Sequence, residues 1–227
     1  MVYRDRRHAG RELAGLLKHL ENQPDVVVLA LPRGGVPVAY EVACAIKAPL
    51  DVFLVRKLGV PDQPELAMGA IATGGVRVIN DDLVRALRIP ASTIEAVAAA
   101  EGAELDRRER LYRAGHQGIA LRNRTVVLVD DGLATGSTMK AAVQAVRADA
   151  PARVVVAVPV GAAETCVALA AIADGPLARY RVAANPRLQT PRDPSAIHAA
   201  KKVLYVNAQE MRVQKMRSHG LDVPARP

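Results

Sequence analysis

The sequence predicts an α/β protein with an open, mostly parallel sheet flanked by helices. Three observations carry that expectation. Strand-length segments recur at 26–31, 51–55, 125–129 and 153–160. Segments with helical spacing separate them, and strand–helix alternation favours parallel pairing through right-handed crossovers. The aromatic residues are only Tyr3, Tyr40, Phe53, Tyr112, Tyr180 and Tyr205, so Val, Leu, Ile and Ala must fill the core, as suits strands covered on both faces.

The elements follow in order. Leu13, Leu16, Leu17 and Leu20 recur at helical spacing, which predicts an amphipathic helix over 8–22. The apolar run 26–31 is a strand that ends at Pro32-Arg33-Gly34-Gly35, and a helix follows over 36–47. Residues 51–55 form the next strand. The polar stretch 56–66, with Gly59, Pro61 and Pro64, reads as a loop. Segments 68–73 and 76–80 flank Gly74-Gly75, a hairpin signal. Asp81-Asp82 then reads as an N-cap. Ser92-Thr93-Ile94-Glu95 is a capping-box pattern opening a long helix whose one face holds Ile94, Ala98, Leu105 and Tyr112. Strand 125–129, a loop over 132–136, and a helix over 137–149 with Met139, Ala142, Val143 and Val146 inward come next. Strand 153–160 and helix 164–173 complete a core of residues 1–173.

Beyond that point prolines interrupt the pattern, and 174–227 reads as a basic, poorly defined C-terminal extension. A short strand at 203–206 and a polar helix at 207–217 are expected within it.

Charge and composition exclude several classes. The chain has 227 residues and a net charge of +8. Residues 1–173 hold 21 Lys and Arg against 19 Asp and Glu, whereas 174–227 hold 10 against 4. The basic excess therefore belongs to the extension, and nucleic acid is not the expected partner of the core. Cys44 and Cys166 are too few for a disulfide scaffold or a four-cysteine zinc site, and each reads as a small core residue. The five histidines show no metal spacing. No apolar run reaches the ~18 residues of a spanning helix. Met1-Val2-Tyr3-Arg4-Asp5-Arg6-Arg7 lacks the apolar stretch of a signal peptide. A soluble, cytoplasmic protein with no membrane partner is expected.

The chemistry concentrates in Thr125-Val126-Val127-Leu128-Val129-Asp130-Asp131-Gly132-Leu133-Ala134-Thr135-Gly136-Ser137-Thr138-Met139. A hydrophobic strand delivers two carboxylates to its carboxyl end, where open α/β sheets bind ligands. A loop of small and hydroxyl residues then opens a helix, whose outward N–H groups and dipole favour phosphate. Acceptors for hydroxyls beside a cradle for phosphate suit a sugar phosphate.

This run resembles the phosphoribosyl diphosphate (PRPP) signature of the type I phosphoribosyltransferases. It contains no Walker loop and no G-x-G-x-x-G. The resemblance implies that Asp130 and Asp131 act as the catalytic carboxylates, taking the ribose 2′- and 3′-hydroxyls. It also implies that Ala134, Thr135, Gly136, Ser137 and Thr138 take the 5′-phosphate. Leu31-Pro32-Arg33-Gly34-Gly35 is similar to the family's pyrophosphate loop, in which Arg33, Gly34 and Gly35 meet the diphosphate. Arg56 and Lys57 end the next strand and can supply further cations, and the loop after them falls where the family has a flap. The core is closest to bacterial members carrying Leu-Pro-Arg-Gly-Gly-Val-Pro-Val-Ala. Members of this family usually have a further strand after the helix here placed at 164–173. This sequence shows no convincing strand there.

By resemblance, the expected activity is transfer of a phosphoribosyl group from PRPP to a nucleobase-like small molecule, with release of diphosphate. Mg2+ is expected with PRPP, held mainly by substrate oxygens and water, and homodimers are common in the family. The alternative is a non-catalytic PRPP-binding regulator whose basic extension binds nucleic acid.

Overall fold

A computed structural model describes residues 3–113, 118–174 and 178–179. The strand and helix expected at 203–206 and 207–217 lie outside the described residues.

Helix α1 (Arg6–Leu16) and a 3-10 turn (Lys18–Leu20) lead into β1 (Val26–Ala30), α2 (Gly35–Ile46) and β2 (Leu50–Val52). Strands β3 (Val55–Val60), β4 (Gln63–Ala72) and β5 (Val76–Ile79) precede α3 (Asp81–Ala86) and α4 (Ala91–Arg113). The chain continues through β6 (Thr125–Val129), α5 (Ser137–Ala148), β7 (Arg153–Val158), α6 (Ala163–Ala170) and β8 (Ala178–Arg179). Among the described residues, the main sheet has five strands in the order β2-β1-β6-β7-β8, with every pair parallel.

The apolar runs of β1, β6 and β7 are explained by burial of both faces. Val28, Ala30, Val127, Val129, Val155 and Ala157 pack with Leu13, Leu17, Val38 and Val42 of the α1–α2 layer. Val27, Leu29, Val126, Leu128, Val154 and Val156 pack with Met139, Val143, Val146 and Leu169 on the other face. Each fully buried Val or Leu contributes about 1.5–3 kcal/mol relative to exposure. A polar residue in mid-strand would forfeit that term on either side. The register pairs Val26 with Thr125 and Ala30 with Val129. Strands β1 and β6 thus end level, and the two loops that follow them lie side by side.

Several expectations need correction. The stretch 56–66 is mostly strand: β3 and β4 form an antiparallel pair, and β5 completes a second, three-stranded sheet. Leu58 and Met68 are fully buried against Ile94 and Ala98 of α4, and that packing overrides the polar composition. Register shifts between Leu58 and Val60 break the alternation that would have signalled a strand. The hairpin at Gly74-Gly75 is present, with Ala72 opposite Val76.

The first helix ends at Leu16, which is exposed, while Leu13, Leu17 and Leu20 are buried. The strand expected at 51–55 is Leu50–Val52. Helix α4 begins at Ala91, and the Pro90 carbonyl accepts from Thr93 and Ile94 N–H. Ser92 therefore lies inside the first turn rather than at a capping box. Asn80, not Asp81, caps α3, accepting from Leu83 N–H at 3.1 Å. Cys166 is buried, but Cys44 is exposed. A further strand does follow α6: β8 pairs with β7 through Ala157 and Ala178. Among the described residues, no helix is long and apolar enough to cross a membrane.

Candidate functional site

The level ends of β1 and β6 bring the arginine–glycine loop against the paired carboxylates. Leu31 N–H donates to the Val129 carbonyl at 2.9 Å, and Gly35 N–H turns back to the Leu31 carbonyl at 3.0 Å. The Pro32–Arg33 peptide is cis. A Cβ on Gly34 would sit on the Asp131 carboxylate, and one on Gly35 would lie 2.6 Å from the Val129 carbonyl oxygen. The glycines are thus required by close approach of the two loops.

Asp130 accepts the Asp131 N–H at 2.8 Å. Some of its surface still meets solvent, yet protein surrounds its carboxyl densely. Burial, and then the like charge of Asp131, push the Asp130 carboxyl well above the usual carboxylate range. Asp131 is held from the other side. Arg6, the first residue of α1, donates to its Oδ2 from Nε at 2.7 Å, and Nη2 lies 2.7 Å from the same oxygen.

The loop after Asp131 is pinned at both ends. Leu133 N–H donates to the Val160 carbonyl at 3.0 Å, and Thr165 Oγ1 donates to the Ala134 carbonyl at 2.7 Å. Gly136 has φ 69°, a left-handed conformation that favours glycine. Helix α5 then starts at Ser137 with no side-chain cap at Gly136, which leaves first-turn N–H groups to meet an anion. Ala134, Thr135, Ser137 and Thr138 are exposed, and the hydroxyls of Thr135 and Ser137 lie 3.2 Å apart.

The cations separate into distinct settings. Arg33 is exposed, and its charge acts on the phenol of buried Tyr112 of α4. Burial raises the Tyr112 phenol, and the Arg33 charge opposes that rise. Arg56 and Lys57 lie on opposite faces of β3. Arg56 pairs with Glu101 of α4 at 2.5 Å. Lys57 lines a cavity of about 540 Å3 together with Ser137, Lys140, Asn80 and Gln144. The structure thus brings Arg33, Gly34, Gly35, Asp130 and Asp131 together, continues into residues 134–138, and sets Lys57 in one cavity with Ser137.

Sequence reasoning missed Arg6 and Tyr112 as members of this neighbourhood. A charge at a helix start reads as solvated, and a tyrosine on an apolar face reads as core.

The loop geometry predicts the outcome of two substitutions. Gly136→Val would force a branched side chain into a positive φ and against the Thr165 methyl. Such backbone strain costs about 1–3 kcal/mol. Each kcal/mol lowers the melting temperature by about 2–4 °C at this size. Gly34→Ala should displace Asp131 and weaken sugar-phosphate binding with a smaller loss of stability. Calorimetric titration with ribose 5-phosphate and thermal melts separate the two effects. Unchanged affinity in both variants would place the anion elsewhere.

Comparison with known proteins agrees on one family. The phosphoribosyl transferase domain model matches residues 6–171. Two Mycobacterium tuberculosis proteins, from strains CDC 1551 and H37Rv, are provisionally named phosphoribosyl transferases. Each is 52% identical over 173 residues, or 76% of this chain. The chain spans only 39% of the length of each of these curated relatives. The crystal structure of TT1426 from Thermus thermophilus is 40% identical, with a TM-score of 0.76, covering 90% of this chain and 98% of that one.

Proposed function

Because the chain belongs to the phosphoribosyl transferase domain family, we propose that it binds PRPP and transfers its phosphoribosyl group to a nucleobase-like acceptor, releasing diphosphate. The observation that carries this reading is the contact of the Gly34-Gly35 loop with Asp130 and Asp131, beside the uncapped start of α5. In this reading the two carboxylates accept the ribose 2′- and 3′-hydroxyls. Residues 134–138 take the 5′-phosphate through backbone N–H groups and the hydroxyls of Thr135, Ser137 and Thr138.

The demanding step is cleavage of the bond between ribose C1′ and the diphosphate oxygen, which builds positive character on the sugar. Arg33 and the N–H groups of Gly34 and Gly35 stabilise the charge that develops on the leaving diphosphate. Lys57 supports it from β3. Pinning the ribose at both ends holds C1′ in one geometry for the acceptor. Among the described residues, no cluster of three His, Cys, Asp or Glu could hold a metal ion. Mg2+ would come with PRPP, liganded mainly by substrate and water, and supply charge neutralisation at the diphosphate.

The test is incubation with PRPP, Mg2+ and a panel of nucleobases, following diphosphate release. Release that depends on one of the bases supports transfer. Binding of PRPP without consumption would replace transfer with a regulatory role, and absence of PRPP binding would overturn the reading.

A further inference from the structure

We propose that Arg6 is a positioning residue of the PRPP site: its guanidinium fixes the Asp131 carboxylate against the Gly34 loop, so that helix α1 completes the site. The inference rests on the PRPP reading above.

Three observations carry it. The first is geometric. Nε and Nη2 of Arg6 both lie 2.7 Å from Asp131 Oδ2, across 125 residues of sequence. The Asp131 carboxylate thus meets both the Arg6 guanidinium and the Gly34 backbone, each nearest its Oδ2. Both partners are largely withdrawn from solvent, with side-chain exposures of 21% and 23%. That separates this contact from an ordinary surface pair.

The second concerns the element that carries the arginine. Asp5 caps α1 by accepting His8 N–H at 2.7 Å. Leu13 and Ala14 anchor the helix body in the core. Arg6 is therefore delivered by an anchored helix, as a precise site requires. The neighbouring arginines are used differently: Arg7 and Arg11 lie 3.8 Å and 3.4 Å from Glu41 of α2.

The third is a local rule that α1 breaks. Its first turn contains no acidic residue and begins Arg6-Arg7. Cations at a helix N-terminus oppose the macrodipole. Departures of this kind concentrate where function demands them.

The charged surroundings define the consequence. Asp130, from the same strand end, repels Asp131, and Arg6 opposes the rise of the Asp130 carboxyl. The loop after β1 contributes the Gly34 backbone and carries Arg33, which neighbours Tyr112 of α4. From β7, the Ala157 carbonyl accepts the Asp130 N–H at 3.4 Å. Without Arg6, the Asp130 carboxyl loses a charge that opposes its rise and is less ionised near neutrality. PRPP affinity should then recover as pH rises.

The experiment uses the full chain with Arg6→Gln and Arg6→Lys. PRPP affinity is measured by calorimetry from about pH 6 to about pH 9, with carbon-13 titration of the aspartate carboxyls in the ligand-free protein. Arg6→Gln should lose about tenfold in affinity at neutral pH, as expected for a lost hydrogen bond to a charged group. It should regain much of that loss at alkaline pH and raise the titration of the Asp130 carboxyl. Arg6→Lys should restore most of the affinity. Equal affinity of wild type and Arg6→Gln at every pH would overturn the inference and leave the PRPP reading intact. An affinity loss independent of pH, with early melting of both variants, would reduce Arg6 to a structural residue and overturn it too. Failure of the wild type to bind PRPP would instead remove the PRPP reading, and this role of Arg6 with it.

Discussion

Asp130→Asn combined with Asp131→Asn should lower PRPP affinity by at least tenfold, while Asp130→Asn alone should raise the melting temperature of the ligand-free protein. The affinity loss follows from the proposed contacts. A hydrogen bond to a charged group is worth about 1.5–3 kcal/mol, and two such acceptors are weakened together. The stability gain follows from the position of Asp130. Its carboxyl is pushed well above the usual carboxylate range, by burial and then by Asp131. For a group whose folded pKa is raised, the stabilising contribution is complete below the unfolded value and is lost as pH rises through the folded one. Asparagine has no such loss, and its Oδ1 can still accept the Asp131 N–H that Asp130 now accepts at 2.8 Å. The gain of Asp130→Asn should therefore be present at about pH 8 and vanish near pH 4. Thermal melts at the two pH values and calorimetry with PRPP check both halves. A variant less stable than wild type at pH 8 would show that the carboxylate is well accommodated in the empty site. Unchanged PRPP affinity in the double variant would remove the ribose assignment.

The parts legible in the sequence are those governed by burial on both faces. Strands β1, β6 and β7 leave no polar side, so their runs of Val and Leu stand out, and the loops at their ends stand out with them. Asp130, Asp131 and the 134–138 loop were readable because strand, acids, small residues and helix follow in one continuous segment. The β3–β5 sheet was not readable in the same way. Only one or two side chains per strand, such as Leu58 and Met68, enter its core. The shifts at Leu58–Val60 scramble the period-2 pattern, and Gly59, Pro61 and Pro64 mimic a loop. Arg6 and Tyr112 escaped for a different reason. Each is brought to the site by helix packing, and its local sequence gives no sign of the distant partner. Cys44 shows the limit of composition, since its alanine-rich setting suggested burial that the structure does not give it.

The largest stability effect should come from Asp51→Ala, at about 3–5 kcal/mol. Asp51 is 3% exposed and is the hub of a buried polar knot. It accepts from Val52 N–H at 2.7 Å and from Ile119 N–H at 3.0 Å, and Arg113 Nη2 lies 3.2 Å from its Oδ2. Arg113, the last residue of α4, also donates to the Val52 carbonyl at 3.1 Å. The knot ties β2, the end of α4 and the approach to β6 together, and so stabilises the frame that holds the two loops level. Burial raises the Asp51 carboxyl, and the Arg113 charge only partly offsets this. Desolvation thus takes back much of the attraction within the pair, as for many buried ion pairs. Removing one partner is the damaging change, because the remaining guanidinium, 12% exposed, loses its counter-charge. Among the described residues, its Nε already has no hydrogen-bond partner. The exposed Arg77–Glu95 pair, bidentate at 2.8 Å and 2.6 Å, provides the contrast. Glu95→Ala should cost far less than Asp51→Ala, because solvent screens an exposed pair. Asp51→Ala with Arg113→Met should then be less damaging than Asp51→Ala alone, a non-additivity that urea denaturation of the four species measures directly. If the double variant were the sum of the singles, the two side chains would be acting independently and the knot would not be the unit of stability.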